Sequence, residues 1–214
     1  MLIRHLYHLW HDNRMYFLVG SLLLIAGIGF GYFQSDTVEE LAKSMIDEIR
    51  KIADQIQQSD QSSALFWMIL FNNLFSSLMM MVFGAILGFF PVYGMVANGL
   101  LLGYLMHKMT AAGLNPFVVL TVGILPHGIF ELPAVVFAAS LGLRYGVLTW
   151  RTIVFVWTAK GRSGLKQEWL AGVKQFPAAL VVVALLLLVA ALVESVVTPL
   201  LIEKTIGTKL NFMR

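Results

Sequence analysis

The sequence predicts an all-α, polytopic membrane protein with about five transmembrane helices, a kinked or broken fourth helix and an amphipathic extracytoplasmic helix. Composition is the first sign, since 58% of the 214 residues are hydrophobic and only 13% are charged, whereas soluble domains carry roughly 45–50% and 25%. Length is the second: five apolar runs each approach the ~20 residues that a helix needs to cross hydrocarbon. The third is the sidedness of lysine and arginine, which collect in loops facing the cytoplasm. Residues 1–214 are read as one membrane domain, multi-pass in the cytoplasmic membrane.

The first span is Met15–Phe33, too long for a signal-peptide core and without a small-x-small cleavage site, so it stays as an anchor. The second, third, fourth and fifth cover about residues 64–89, 92–109, 117–141 and 177–197. Residues 142–176 form a basic segment in which Arg144, Arg151, Lys160, Arg162, Lys166 and Lys174 face only Glu168, which places it in the cytoplasm. Within it, Val147–Ala159 with Trp150 and Trp157 is expected to lie flat at the interface. Between the first two spans the acids Asp36, Glu39, Glu40, Asp47, Glu48, Asp54 and Asp60 outnumber Lys43, Arg50 and Lys51, so this segment is translocated. The amino terminus is then inside and the carboxyl terminus outside.

The translocated segment is ordered by pattern. Val38, Leu41, Met45, Ile49, Ile52 and Ile56 recur at three- and four-residue spacing, predicting an amphipathic helix over 36–58 with Asp36 and Glu39 as a capping box. Its apolar stripe packs on the membrane face of the same chain, on a second copy, or on an extracellular partner.

The +3 net charge serves membrane anchoring rather than nucleic acid, for which no basic-aromatic motif is present. Without cysteine, disulfides, thiolate metal sites and cysteine nucleophiles are excluded. No internal repeat supports a transporter of two similar halves.

Chemistry concentrates in Ile124–Pro133. Pro126 and Pro133 each remove a backbone donor inside a span, while His127 and Glu131, four residues apart, share one helix face. A lone carboxylate at this depth costs about 3 kcal/mol unless it is paired or neutralised, and His127 and Glu131 most simply pair with each other. Three readings follow for the pair. It hydrogen-bonds to neighbouring helices, it ligates a metal, or it serves an intramembrane hydrolase or ion path. Two imidazoles and two carboxylates across a two-fold axis would suit zinc, although one subunit supplies only two ligands and no cofactor is required. No catalytic serine–histidine–aspartate set or zinc-hydrolase motif is present, so no catalytic residue is assigned and a non-enzyme is expected.

The amides Asn72, Asn73 and Asn98, with Ser76 and Ser77, must face protein or water and are the natural partners of His127 and Glu131. His107 is read as an interface residue, and His5, His8 and His11 as a solvated face. The glycine pairs Gly27/Gly31, Gly84/Gly88 and Gly99/Gly103 are GxxxG spacings that let helix backbones approach. With Gly94 they predict tight packing of the second and third spans around a turn at Phe89–Tyr93. Glycine faces and the amphipathic stripe together suit a homodimer.

Asn72-Asn73, Gly84 to Gly88, Asn98-Gly99 with Gly103, and above all Pro126-His127-Gly128-Ile129-Phe130-Glu131-Leu132-Pro133 resemble the stage II sporulation protein M family of bacterial and archaeal membrane proteins. The resemblance covers most of residues 15–198. It implies a five-helix protein of the cell membrane. By the role of the family's namesake, it also implies a scaffold in engulfment during sporulation that tethers two peptidoglycan-degrading partners, stage II sporulation proteins P and D. Many members belong to organisms that do not sporulate. A membrane transporter or channel using the polar intramembrane residues of helices two to four is the competing function.

Overall fold

The computed structural model describes residues 2–57, 62–113, 115–121, 125–158 and 164–197. Its elements are α1 (Leu2–Phe33), α2 (Ser35–Gln57), α3 (Ser62–Phe83), α4 (Phe89–Ala111), α5 (Pro116–Val119), α6 (Leu125–Thr158) and α7 (Leu165–Leu192), the last ending in a π-helical turn at Val193–Val197. Five of these helices, α1, α3, α4, α6 and α7, are long and apolar enough to cross a membrane.

α6 is the central pillar. Its most apolar window is 72% buried, against 22–33% for the other four. A sequence of small residues makes that possible, because Ala134, Ala138 and Ala139 are fully buried and let α3, α4 and α7 come close. Ala134, Ala138, Leu141, Tyr145 and Leu148 on α6 meet Ala179, Val183, Leu187 and Ala191 on α7, two stripes at three- and four-residue spacing packed ridge into groove. Leu24, Met80, Met95, Val136 and Ala139 join α1, α3 and α4 to the pillar's other side. Lipid is as apolar as these side chains, so contact and close approach hold the helices rather than water exclusion.

The element boundaries depart from the apolar runs in four places. α1 begins at Leu2 rather than Met15. The reversal between α3 and α4 occupies Gly84–Gly88, with Leu87 at φ 50° and Gly88 at φ 75°, and Phe89–Tyr93, expected as the turn, is the first part of α4. Left-handed backbone is what the reversal needs; Gly88 adopts it without steric cost, and Leu87 is drawn into it as well. The fourth run breaks into α5 and α6 ahead of Pro126, whereas Pro133 is carried inside α6 on an exposed face. Finally, residues 142–158 continue α6 and residues 165–176 open α7, so the expected basic loop and its flat-lying helix are two arms of a helical hairpin. Arg151 and Glu168 form an ion pair across it, Trp169 donates from Nε1 to Thr152 Oγ1 at 3.1 Å, and Tyr145 stacks on Trp169 with centroids 6.0 Å apart.

The glycines act in pairs that differ from the expected ones. Gly27 and Gly31 of α1 lie against Gly99, Leu100 and Val96 of α4, and Gly103 lies against Ile28 and Tyr32. Gly84 and Gly88 lie against Gly142 and Gly146 of α6. Only Gly94, whose added Cβ would stand 2.6 Å from Met80 Sδ, joins α3 to α4. The glycine-lined faces are thus consumed within the subunit and are not free for self-association.

α2 follows α1 after a turn at Gln34 and is amphipathic over Ser35–Gln57. Its buried face is Val38 and Ala42, packed on Tyr104 of α4 with Ile46 partly covered, while Leu41 is 44% exposed. Side chains from Glu48 onward, including Ile49, Ile52 and Ile56, lie outside the described residues. Glu39 does not cap the helix. It pairs with Lys43 at 2.7 Å and Lys108 of α4 at 3.5 Å, and Lys108 also sits 5.2 Å over the Tyr104 ring.

The hydrogen bond from Lys43 and the charges of Lys108 and Lys43 hold Glu39 below its usual value of 4.5, and Glu39 in turn raises Lys43 above 10.5. A depressed carboxylate stabilises above its unfolded value and loses that contribution as pH falls through the folded one. Docking of α2 on α4 should therefore hold at neutral pH and loosen below pH 4.5. Glu39→Gln should remove this acid dependence, as read by cross-linking between cysteines placed at Ala42 and Leu101 of the same contact, which leaves Glu39, Lys43 and Lys108 in place; unchanged cross-linking in acid would refute it.

Candidate functional site

Two polar clusters lie inside the bundle, near opposite ends of α6. The first is built on Glu131, one turn past the start of the α6 span. Asn73 of α3 donates a side-chain hydrogen bond to its carboxyl group, and Glu194, from the π-helical end of α7, is close enough to interact with it electrostatically. Three helices therefore converge on one carboxyl group. Glu194 stands in the π-helical turn Val193–Val197, which packs against α6 and α3.

Of the expected residues, Asn73 and Glu131 are brought together. Asn72 is not, because adjacent helix positions point about 100° apart, and neither is Asn98 of α4; both side chains are exposed. Asn98 turns its amide nitrogen back to the Gly94 carbonyl at 2.7 Å. Pro126 and Pro133 flank the site on α6. The His127 backbone belongs to α6, but its side chain lies outside the described residues, and so does the expected His127–Glu131 pairing. Among the described residues no group of three or more histidine, aspartate or glutamate side chains could hold a metal ion. One turn below Asn73, the Ser77 hydroxyl is fully buried and lacks a partner among the described residues.

At the other end, Arg144 is only 8% exposed. Its Nη1 donates to Gln175 Oε1 at 2.7 Å and to Asn13 Oδ1 at 3.4 Å. Asn13, itself fully buried, donates to the Leu9 carbonyl at 2.7 Å. Gln175 Nε2 passes the chain on to Asp12 Oδ2 at 2.7 Å. Two neutral amides from α1 and α7 thus solvate a guanidinium of α6, and the nearest carboxylate in the network is one amide away. Such a network ties three helices together at a fixed register.

Arg144 was expected in an aqueous loop, and Asn13, Gln175 and Glu194 were not expected to be functional. Each had a signal. Arg144 stands in Leu141-Gly142-Leu143-Arg144-Tyr145-Gly146-Val147-Leu148, which keeps helical periodicity, and Glu194 is the sole acid of the fifth apolar run. His8 and His11 are exposed as expected, His11 lying 3.5 Å from Asp12. His107 meets the Tyr32 ring edge-on at 5.6 Å. With Tyr32, Phe33, Thr110 and Ala111 it lines an open cleft of about 290 Å³.

Compared with known proteins, the chain matches the family described as stage II sporulation protein M over residues 20–199. An uncharacterized protein of Methanocaldococcus jannaschii is 28% identical over 181 residues, covering 85% of this chain and 75% of the relative. No solved structure matches. The chain belongs to the stage II sporulation protein M family.

Proposed function

We propose that this member of the stage II sporulation protein M family is a non-enzymatic membrane scaffold whose α2 helix recruits peptidoglycan-remodelling proteins. By family resemblance these are stage II sporulation proteins P and D. The observation that carries the reading is α2 itself. It is anchored at one end through Val38, Ala42 and the Glu39–Lys108 pair, yet leaves Asp36, Glu40, Leu41, Ser44 and Asp47 exposed. A rigid helix held against the bundle presents such a surface with less ordering cost than a loose loop would.

In this reading the chain lies in the cytoplasmic membrane with its amino terminus inside. Arg144, Arg151, Lys166 and Lys174 occupy the end of the bundle where α1 begins, and the acidic α2 occupies the other, which accords with positive charge facing the cytoplasm. Because the chain has no cysteine, a Ser44→Cys variant should label with an impermeant thiol reagent added to intact cells. Labelling only after lysis would reverse the orientation.

Replacing residues 36–57 by a flexible linker should leave a folded bundle that no longer co-purifies with its hydrolase partners. Full retention of those partners would overturn the scaffold reading. The Asn73–Glu131–Glu194 cluster favours a second reading, an ion or solute path, since carboxyl groups inside a span often mark one. That reading requires flux in proteoliposomes that Glu131→Gln abolishes; equal flux in wild type and variant would dismiss it.

A further inference from the structure

The cluster around Glu131 includes a polar group that the bundle itself leaves unused. Ser77 of α3 is fully buried, and its hydroxyl has no hydrogen-bond partner among the described residues. A serine inside a helix ordinarily bonds back to the preceding turn, as Ser44, Ser140 and Ser195 do to carbonyls three residues earlier. Ser77 does not. A buried hydroxyl left unbonded is costly, and an ion or water that the side chains do not supply is one way such a cost is met.

Its position aims it at the two carboxyl groups. α3 and α6 run parallel as alternate spans and touch at Gly84 and Gly142; eleven residues back along each stand Asn73 and Glu131, which are hydrogen-bonded. Ser77 is four residues from Asn73 and so on the same face of α3, and side chains on a helix lean toward its amino terminus, here toward Asn73 and Glu131. The α6 residues at its own level, Ala134, Val135 and Ala138, have no polar side chain. Glu194 arrives from α7 in the turn that packs on both α6 and α3. Gln175 of α7 bonds Arg144 of α6; nineteen residues on along α7, and nineteen back along the antiparallel α6, Glu194 stands level with Leu125. The Glu131 side chain leans toward Leu125 and the Glu194 side chain leans the opposite way, so the two approach each other.

We propose that Glu131, Glu194, Asn73 and Ser77 bind a small monovalent cation, sodium. Two carboxylates, an amide oxygen and a hydroxyl are the oxygen donors that hard cations take. Calcium is held by about six to eight oxygens, several of them from carboxylates, whereas the described residues offer two carboxyl groups here and no group of three acids or histidines. Two carboxylates at this depth also call for positive charge. α3 has no lysine or arginine, α7 has none after Lys174, and Arg144 of α6 is thirteen residues, about 20 Å, from Glu131. A proton would neutralise one carboxyl group and leave Ser77 as it is; a water would satisfy Ser77 and bring no charge. A cation between the oxygens does both. The inference rests on the ion-path reading for its site and names the ion; binding without flux would dismiss the path and leave the site.

Equilibrium binding of radioactive sodium to the purified full chain in mild detergent, read by scintillation proximity, tests it. Expected is saturable binding near one ion per chain, displaced by unlabelled sodium and not by choline. Glu131→Gln and Glu194→Gln, which keep the side-chain shape and remove the charge, should each abolish it. Ser77→Ala should weaken it about tenfold, and Glu40→Gln, at an exposed acid of α2, should bind as wild type. Melting of each variant in choline shows that it is folded, and sodium should raise the melting temperature of wild type but not of Glu194→Gln. If Glu131→Gln fails to fold, Ser77→Ala and Glu194→Gln decide. No saturable sodium binding at neutral or alkaline pH overturns the proposal and leaves a proton or a water in the site, as does binding by Ser77→Ala or Glu194→Gln equal to wild type.

Discussion

Gly142→Val should leave little folded protein in the membrane, whereas Gly29→Ala should behave as wild type. A Cβ at Gly142 would collide with the Met80 carbonyl oxygen and stand 3.1 Å from Pro91 Cγ, while at Gly29 nothing lies within 4 Å. The obstruction at Gly142 is largely backbone, and a flexible side chain cannot rotate away to relieve it. Overpacking typically costs about 1–3 kcal/mol, and a backbone collision on the central pillar belongs at or above the top of that range. Gly84 faces Gly142 and Gly146 faces the Gly88 backbone, so Gly84→Val and Gly146→Val should show the same defect. Thermal melting in mild detergent, followed by size-exclusion fluorescence, would measure it. A Gly142→Val protein that melts with wild type would mean that α3 and α6 do not approach as closely as described.

The same glycines show what the sequence could and could not disclose. A GxxxG spacing announces a close approach of backbones, yet says nothing of which helix approaches. Gly84 and Gly88 were therefore legible as a packing face but not as the partner of Gly142 and Gly146, which the neighbouring Arg144 had assigned to an aqueous loop. Charge was read there as a marker of water, although two amides, Asn13 and Gln175, had made burial of the guanidinium affordable. The number of crossings was legible because each apolar run is long. Their limits were not, since the run in α1 starts at Met15 while the helix starts at Leu2, and apolar length reports the thickness of hydrocarbon rather than the length of a helix. In the cluster around Glu131, the need for an amide partner could be read from cost alone. Choosing Asn73 over Asn72 required the rotation of α3, and finding Glu194 required knowing which helices the end of α7 packs against.

Gln175→Leu should destabilise the bundle by about 1.5–3 kcal/mol, the range for a hydrogen bond to a charged group. Gln175 is the shorter of the two contacts to Arg144, 2.7 Å against 3.4 Å for Asn13. Its amide has a forced orientation, the oxygen toward the guanidinium and the nitrogen toward Asp12. If a stranded charge causes the loss, the effects of Arg144→Met and Gln175→Leu should not add, because the double variant leaves no guanidinium to strand. A reciprocal exchange separates this from simple loss of packing. Gln175→Glu with Asp12→Asn retains an acceptor for Arg144 and a donor–acceptor pair between α7 and α1, and moves the carboxylate directly onto the guanidinium. Stability should return to near wild type in that pair, while Gln175→Glu alone sets two carboxylates against each other at 175 and 12 and should fall between. Additive losses, or a reciprocal pair no more stable than Gln175→Leu, would show that Gln175 supports the α6–α7 hairpin by shape rather than by solvating Arg144.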